Sequence, residues 1–408
     1  MNQIENLLQL KFSADILADF MATVSTGVGM LIALYSTGYM KKQKHLLEFY
    51  FYLFLFIGAM VGLVYSANLI LMYIFWEITA VCSWRLIGHY REEEHLLRAD
   101  KAFIVTFFGS VIMLVGFGII YRDFGTFNLA ELKGQAVSTG ALGLILCGIL
   151  AKSAQLPLHI WLPDAGVAPT PVTALLHAAV LVKIGVYAFA RLFVVTFNLP
   201  DLSREVIGFL SVASILVAGA AALVENDIKR ILAYSTISQI GYVLLGLVMN
   251  GTIGIAGALF FILAHAFGKA GLFLCAGVVE HNMHTKDIRK LGGLIRSMPV
   301  TAVSFFVCAL SIIGVPPMAG FLAKLFVIKS CFVNNEITLG VLGITGAVLT
   351  MFYLIRFFNE VFLGEPKTSV LVHEGSFVMV LVVLVLAILS VAAGLFPGGL
   401  IDLLGGVR

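Results

Sequence analysis

Residues Gly148–Arg191 read GILAKSAQLPLHIWLPDAGVAPTPVTALLHAAVLVKIGVYAFAR, and this stretch decides the fold. Lys152, His177 and Lys183 stand in runs whose other residues have the composition of a lipid bilayer's interior. Pro157, Pro163, Pro169 and Pro171 interrupt any continuous helix, because proline lacks the amide hydrogen and its ring clashes with the preceding turn. A lysine at the centre of a spanning helix costs about 2.5–3.5 kcal/mol. A broken backbone at that depth survives only against protein or a wet cavity. Together the two predict a polar path through a membrane domain.

The rest of the chain agrees. Of 408 residues, 60% are hydrophobic and 12% charged, against about 25% charged in a soluble domain; the mean hydropathy is +1.02. This is the composition of an all-α polytopic membrane protein with a single transmembrane domain over 1–408. The net charge of +3 says little, because its distribution between the two sides matters more. The five cysteines, Cys82, Cys147, Cys275, Cys308 and Cys331, are isolated within apolar runs. They read as small buried hydrophobes, not as zinc or iron–sulfur ligands. No flavin, nicotinamide or haem motif is visible, so no cofactor is expected in this chain, and no nucleic-acid partner. MNQIENLLQLKF lacks a basic stretch before an apolar core, so no cleavable signal is expected.

A span needs about 20 apolar residues, and twelve segments qualify: 16–38, 48–66, 68–89, 102–121, 138–163, 172–193, 205–224, 231–249, 252–279, 299–331, 336–362 and 376–396. The fifth and tenth are broken by proline. The twelfth, FVMVLVVLVLAILSVAAGLF, carries no charge and reads as facing lipid. Loops after odd-numbered segments hold thirteen Lys and Arg, among them Lys41, Lys42, Lys229, Arg230 and Lys286. Loops after even-numbered segments hold three, Arg122, Lys133 and Arg204. The positive-inside rule then puts the odd loops in the cytoplasm and both termini across the cell (inner) membrane. ILAKSAQLPLHIWLPDAG and LSIIGVPPMAGFLAKLFVIKS each place a lysine beside a proline break, five segments apart. An odd spacing inverts the second copy, so two inverted five-helix repeats are expected, near 46–195 and 203–363, flanked by helices 16–38 and 376–396.

Seven ionisable residues stand at bilayer depth. Glu77, in LILMYIFWEITAVCSW, reads as a carboxylate that pairs with Lys152 and sets that lysine's proton affinity, or else as a structural ion pair. Lys152 reads as a proton carrier, since desolvation brings a lysine towards neutral titration and an arginine effectively never titrates; the alternative is an amine reaching the interface. Lys183 lies mid-span, six residues after His177, off one narrow face; His177 reads as a path member or a satisfied core histidine. His265 and Lys269, four apart, share a face. Lys324 follows the second break, in the place Lys152 takes at the first. No third ligand stands close enough in sequence to His265 to make a metal site. Asp15 and Asp19 read as interfacial, REEEHLLRADK as a solvated loop, Asp164 as a turn or helix cap, and Arg356 with Glu360 as an i,i+4 pair.

LPLHIWLPDAGVAPTPVTALLHAA, DIKRILAYSTISQIGY, HAFGKAGLFLCAG, DIRKLGG and PPMAGFLAK together resemble the proton-conducting antiporter-like subunits of respiratory complex I, of group 4 membrane-bound hydrogenases and of Mrp-type cation/proton antiporters. The resemblance covers nearly the whole chain. It implies that FSADILADFMATVSTGVGMLIALYSTGYM is the third helix of a fourteen-helix core, with the first two helices and any long C-terminal extension missing. It also implies a proton path through Glu77, Lys152, His177 or Lys183, His265, Lys269 and Lys324. The expected function is proton translocation, alone or in exchange for Na+, within a multisubunit membrane complex whose other subunits carry any redox chemistry. A stand-alone transporter of a small solute and a non-conducting structural subunit are the alternatives.

Overall fold

The computed structural model describes residues 11–249, 251–367 and 373–407. Among these it is helical throughout, with no strand beyond isolated bridges. In chain order the helices are α1 Ile16–Tyr39, α2 Leu46–Tyr65, α3 Leu69–Ile87, α4 Glu93–Phe124, α5 Thr139–Lys152, α6 Thr170–Thr196, α7 Asp201–Val224, α8 Ile228–Val248, α9 Thr252–Met283, α10 Pro299–Ile313, α11 Ala319–Val333, α12 Ile337–Leu363, α13 Phe377–Leu395 and α14 Gly398–Gly405. Side chains that occupy orphan amides set several starts: Asp15 caps α1, Asn68 caps α3, Ser138 caps α5 and Asp227 caps α8.

Ten of these helices are long and apolar enough to cross a membrane: α1–α4, α6–α9, α12 and α13. The expected fifth and tenth segments are different. The fifth is only helical over the 14 residues of α5, after which Pro157 and Pro163 keep the chain in turns. The tenth is two half-helices of 15 residues each, α10 and α11, parted where Gly314 takes φ +91° ahead of Pro316 and Pro317. A Cβ at Gly320 would collide with the Ser311 carbonyl, so the two halves meet backbone to backbone.

Helix α9 runs through the centre, packed on α1, α6, α8, α10, α11, α13 and α14. In its most apolar window 89% of residues are buried; for α6 the share is 89% and for α8 94%, against 39% in α4, α12 and α13. The outer helices expose apolar side chains such as Phe51, Phe108, Phe352 and Ile388, the surface a bilayer covers without cost. Lysines on α6 and α9 therefore meet protein, not lipid.

One regularity crosses the chain. Tyr65 and Val224 end α2 and α7, Leu69 and Ile228 begin α3 and α8, and Glu93–Phe124 and Thr252–Met283 bound α4 and α9, each pair 159 positions apart. The antiparallel bridges Asn68–Asn128 and Asp227–Asp287 keep the same interval.

Several expectations are corrected here. REEEHLLRADK is largely exposed but is not a loop: α4 begins at Glu93, while Arg85 and Arg91 both pair with Glu48. Lys229 is not a loop residue but lies on α8, 1% exposed. Arg356 does not pair with Glu360. It donates to the carbonyls of Leu223 and Glu225 (2.5 and 2.8 Å) and to Asn226 Oδ1 (2.6 Å), tying α12 to the end of α7, because the bare carbonyls at a helix end attract a guanidinium. Glu360 sits 3.7 Å from Lys367. Asp15 holds Arg191 through two hydrogen bonds, one of 2.8 Å, at the opposite end of the bundle from Lys41, Lys42 and Lys286.

Candidate functional site

Lys152, His177, Lys183, His265 and Lys269 are fully buried and Lys324 is 3% exposed. Each amine is held by backbone carbonyls. Lys152 closes α5 and donates to the Trp76 carbonyl on α3 (3.2 Å), its Nζ 5.5 Å from that indole's centroid. Lys183 donates to the Ala178 carbonyl of its own helix. The helix opens into π-helical turns at Leu175–Ala179 and bends at Val180, which frees that carbonyl. Lys269 on α9 donates to the Leu232 carbonyl of α8 (3.2 Å). Lys324 on α11 donates to the Ile312 and Ile313 carbonyls that end α10 (2.8 and 3.3 Å) and lies 4.9 Å over the Tyr242 ring. A helix C-terminus carries partial negative charge, so Lys324 is charge-matched there without a carboxylate.

Two expected relations take other forms. Glu77 forms no ion pair with Lys152; the amine takes the carbonyl of the preceding residue. Glu77 is half-buried, and its Oε1 has no hydrogen-bond partner among the protein groups described. Lys324 does not take the place of Lys152: Lys152 precedes its break as the last residue of a half-helix, whereas Lys324 follows its break and reaches back to the end of the first half-helix.

The imidazole of His265 gathers the rest. Its ring stands 6.5 Å from Phe261, over which Lys324 Nζ lies at 5.9 Å, and Lys269 follows it by one turn of α9; His177 stacks on Phe273, one turn beyond Lys269. Neither nitrogen of His177 or of His265 has a hydrogen-bond partner among the protein groups described. A buried polar nitrogen without any hydrogen-bond partner costs about 1–3 kcal/mol. The residues therefore fall into two groups: Glu77 with Lys152 on α3 and α5, and His177, Lys183, His265, Lys269 and Lys324 on α6, α9 and α11.

The family follows from this arrangement and from the sequence. Residues 66–350 match the family described as NADH:quinone oxidoreductase/Mrp antiporter, TM. The chain belongs to that family. Residues 4–50 also match NADH-Ubiquinone oxidoreductase (complex I), chain 5 N-terminus. The chain is 38% identical to Na(+)/H(+) antiporter subunit A1 of Staphylococcus haemolyticus and 36% to that of Staphylococcus aureus, in each case over 91% of its own length and 51% of the relative's. It thus spans about half the length of the curated relatives it matches. A chain of the Mrp complex from Dietzia sp. DQ12-45-1b shares its fold with a TM-score of 0.91 and 25% identity, over 98% of this chain and 84% of that one.

Two charged centres of this antiporter-family chain escaped the sequence. Asp164, 8% exposed, binds Arg98 Nη1 (2.9 Å), Lys101 Nζ (2.7 Å) and Arg230 Nη1 (2.8 Å). It ties α4 and α8 to the turn beyond α5. Burial alone would raise its carboxyl, but hydrogen bonds from Lys101 and Arg230 and the charges of Lys101 and Arg98 hold it below the usual carboxylate range. A depressed folded pKa stabilises above the unfolded value near 4 and is lost as pH falls through the folded one. Asp164→Asn should cost about 1–3 kcal/mol, less than a fully buried pair because the cations are a third exposed. A thermal melt in detergent should show the variant less stable than wild type at pH 7 and the gap closing below pH 4. An unchanged melting temperature at pH 7 would refute the role.

The other is Glu280, whose carboxylate meets Lys229 Nζ at 2.7 Å and Lys286 Nζ at 3.4 Å. A signal for it was present: Glu280 follows Lys269 by eleven residues, three helical turns, and so stands on the same face of α9.

Proposed function

We propose that this chain is the proton-conducting membrane core of a multisubunit cation/proton antiporter, carrying protons through His177, Lys183, His265, Lys269 and Lys324, with Glu77 setting the proton affinity of Lys152. The observation that carries the reading is His265, a fully buried imidazole with no protein partner at either nitrogen, one turn before Lys269 on α9 and beside the Phe261 ring that Lys324 overlies. Imidazole can both take and give a proton near neutral pH. Its lysine neighbours, unlike arginines, can do the same when desolvated. Moving one charge against about 100 mV costs about 2.3 kcal/mol. At about 1.36 kcal/mol per pK unit, displacing an acid such as Glu77 relative to an amine supplies that amount with a modest shift.

In this reading the basic end, with Lys41, Lys42 and Lys286, faces the cytoplasm and both chain termini face the other side; Met1 and Arg408 themselves lie outside the described residues. The repeats near 46–195 and 203–363 are inverted copies, a division supported by the constant interval of 159 positions from α2 to α9. The partners are further membrane subunits, protons and Na+, with no cofactor in this chain.

The test is cation-driven dissipation of a pH gradient in everted vesicles containing the whole complex. Wild type should dissipate the gradient on addition of Na+. Glu77→Gln should slow this about ten-fold, the low end for a group that assists proton transfer, without loss of assembly. Full-rate exchange by Glu77→Gln would overturn the role of Glu77. A complex that moves no protons would overturn the function.

A further inference from the structure

Helix α9 carries Glu280 near its basic end, and a cavity of about 870 Å³ opens onto it, lined by Tyr39, Lys41, Asp227, His281 and Lys286 among others. Glu280 sits between two amines of opposite access. Oε2 meets Lys229 Nζ, whose side chain is 2% exposed, and Oε1 meets Lys286 Nζ, whose side chain is 33% exposed. Thr170 Oγ1 donates to Oε2 (2.9 Å), and Tyr39 Oη lies 3.4 Å from the same oxygen.

Thr170 begins the inward run. Thr170 and Thr173, spaced i, i+3, share one face of the helical start of α6, and His177 lies in the π-helical turn that follows. All three are completely buried. Thr173 Oγ1 donates to the Thr170 carbonyl (2.9 Å). The partner helix is α9. Gly277 lies against Thr170, where a Cβ would collide with the threonine methyl, so the helices touch there. Further in, the His177 ring stacks on Phe273 at 4.5 Å, one turn from Lys269. Polar groups thus lead from an open cavity, at Glu280, through Thr170 and Thr173 to the buried His177 ring, whose nitrogens take no protein partner.

We infer that Glu280 is the proton-loading group of the cytoplasmic side, and that the Thr170–Thr173 face is the track by which protons reach His177. This rests on the proton-conduction reading above. The step balances simply. Glu280 takes a proton from hydronium in the cavity, leaving water there, and its hold on Lys229 and Lys286 weakens. The proton then passes along the threonine hydroxyls and intervening water to a bare His177 nitrogen, giving imidazolium and restoring the carboxylate. No other bond forms or breaks.

The experiment uses the whole complex in everted vesicles, in H2O and D2O, with four variants: Glu280→Gln, Glu280→Asp, Thr173→Val and Lys269→Ala. Glu280→Gln should lower the rate about a hundred-fold and Glu280→Asp should recover most of it, within the range for a proton-transfer group. Thr173→Val, which keeps the shape and every charge, should slow uptake about ten-fold and raise the solvent isotope effect. A merely structural threonine would leave the isotope effect unmoved. If Lys269→Ala abolishes transport while Thr173→Val and Glu280→Gln run at wild-type rate and isotope effect, the inference fails and the conduction reading stands. If Lys269→Ala also runs normally, the conduction reading itself fails.

Discussion

Lys269→Arg is expected to stop proton transport while leaving the complex assembled. Arginine keeps the positive charge and can still donate to the Leu232 carbonyl that Lys269 holds at 3.2 Å, so a structural role would be preserved. What arginine loses is the ability to release its proton, since its pKa stays above about 12 in proteins. The expected loss is about a hundred-fold or more, in the range for a group that gives and takes the transferred proton. Lys269→Ala should lose as much. The informative comparison is between the two in vesicles with matched complex content. Equal, near-total loss is the expected result, whereas activity retained by arginine would assign Lys269 a fixed charge and remove it from the path.

The second large effect is at Lys152. Lys152→Met keeps roughly the side chain's bulk beside Trp76 but removes the amine, and should also cost about a hundred-fold. In the proposed path Glu77 serves transport through Lys152, whose amine takes the Trp76 carbonyl and not the carboxylate, so the effect of Glu77 should vanish once the amine is gone. The double variant Glu77→Gln, Lys152→Met should therefore match Lys152→Met alone, as expected for residues that act as a unit. If the two losses instead multiply, Glu77 serves transport by some route other than Lys152.

The gross fold was legible because its physics is one-dimensional. Bilayer thickness sets a length, and each apolar run either meets it or is cut by proline; the breaks at Pro157 and at Pro316–Pro317 separate the short helices where the sequence indicated. Depth was legible for the same reason, so Lys152, Lys183, His265, Lys269 and Lys324 could be singled out as buried. What bonds to what was not. Lys152 takes a carbonyl and not the carboxylate one residue along, because a peptide oxygen at the right place is invisible to a reading of side-chain types. Lys229 looked like part of a solvated basic loop because Arg230 and Asp227 flank it, and only the docking of Ala168 and Glu280 over it brings it inside. Asp164 looked like a cap because its three cations come from positions 98, 101 and 230. Such long-range meetings are set by helix packing, which leaves no periodic trace.

The central claim is that buried amines and imidazoles meet at His265 and pass protons through it. Proton flux in vesicles holding the assembled complex, compared between wild type and His265→Ala, tests this most directly. The account predicts that flux falls by about a hundred-fold with assembly intact, because His265 is the buried imidazole one turn from Lys269 and beside the Phe261 ring that Lys324 overlies. Wild-type flux through an assembled His265→Ala complex would contradict it.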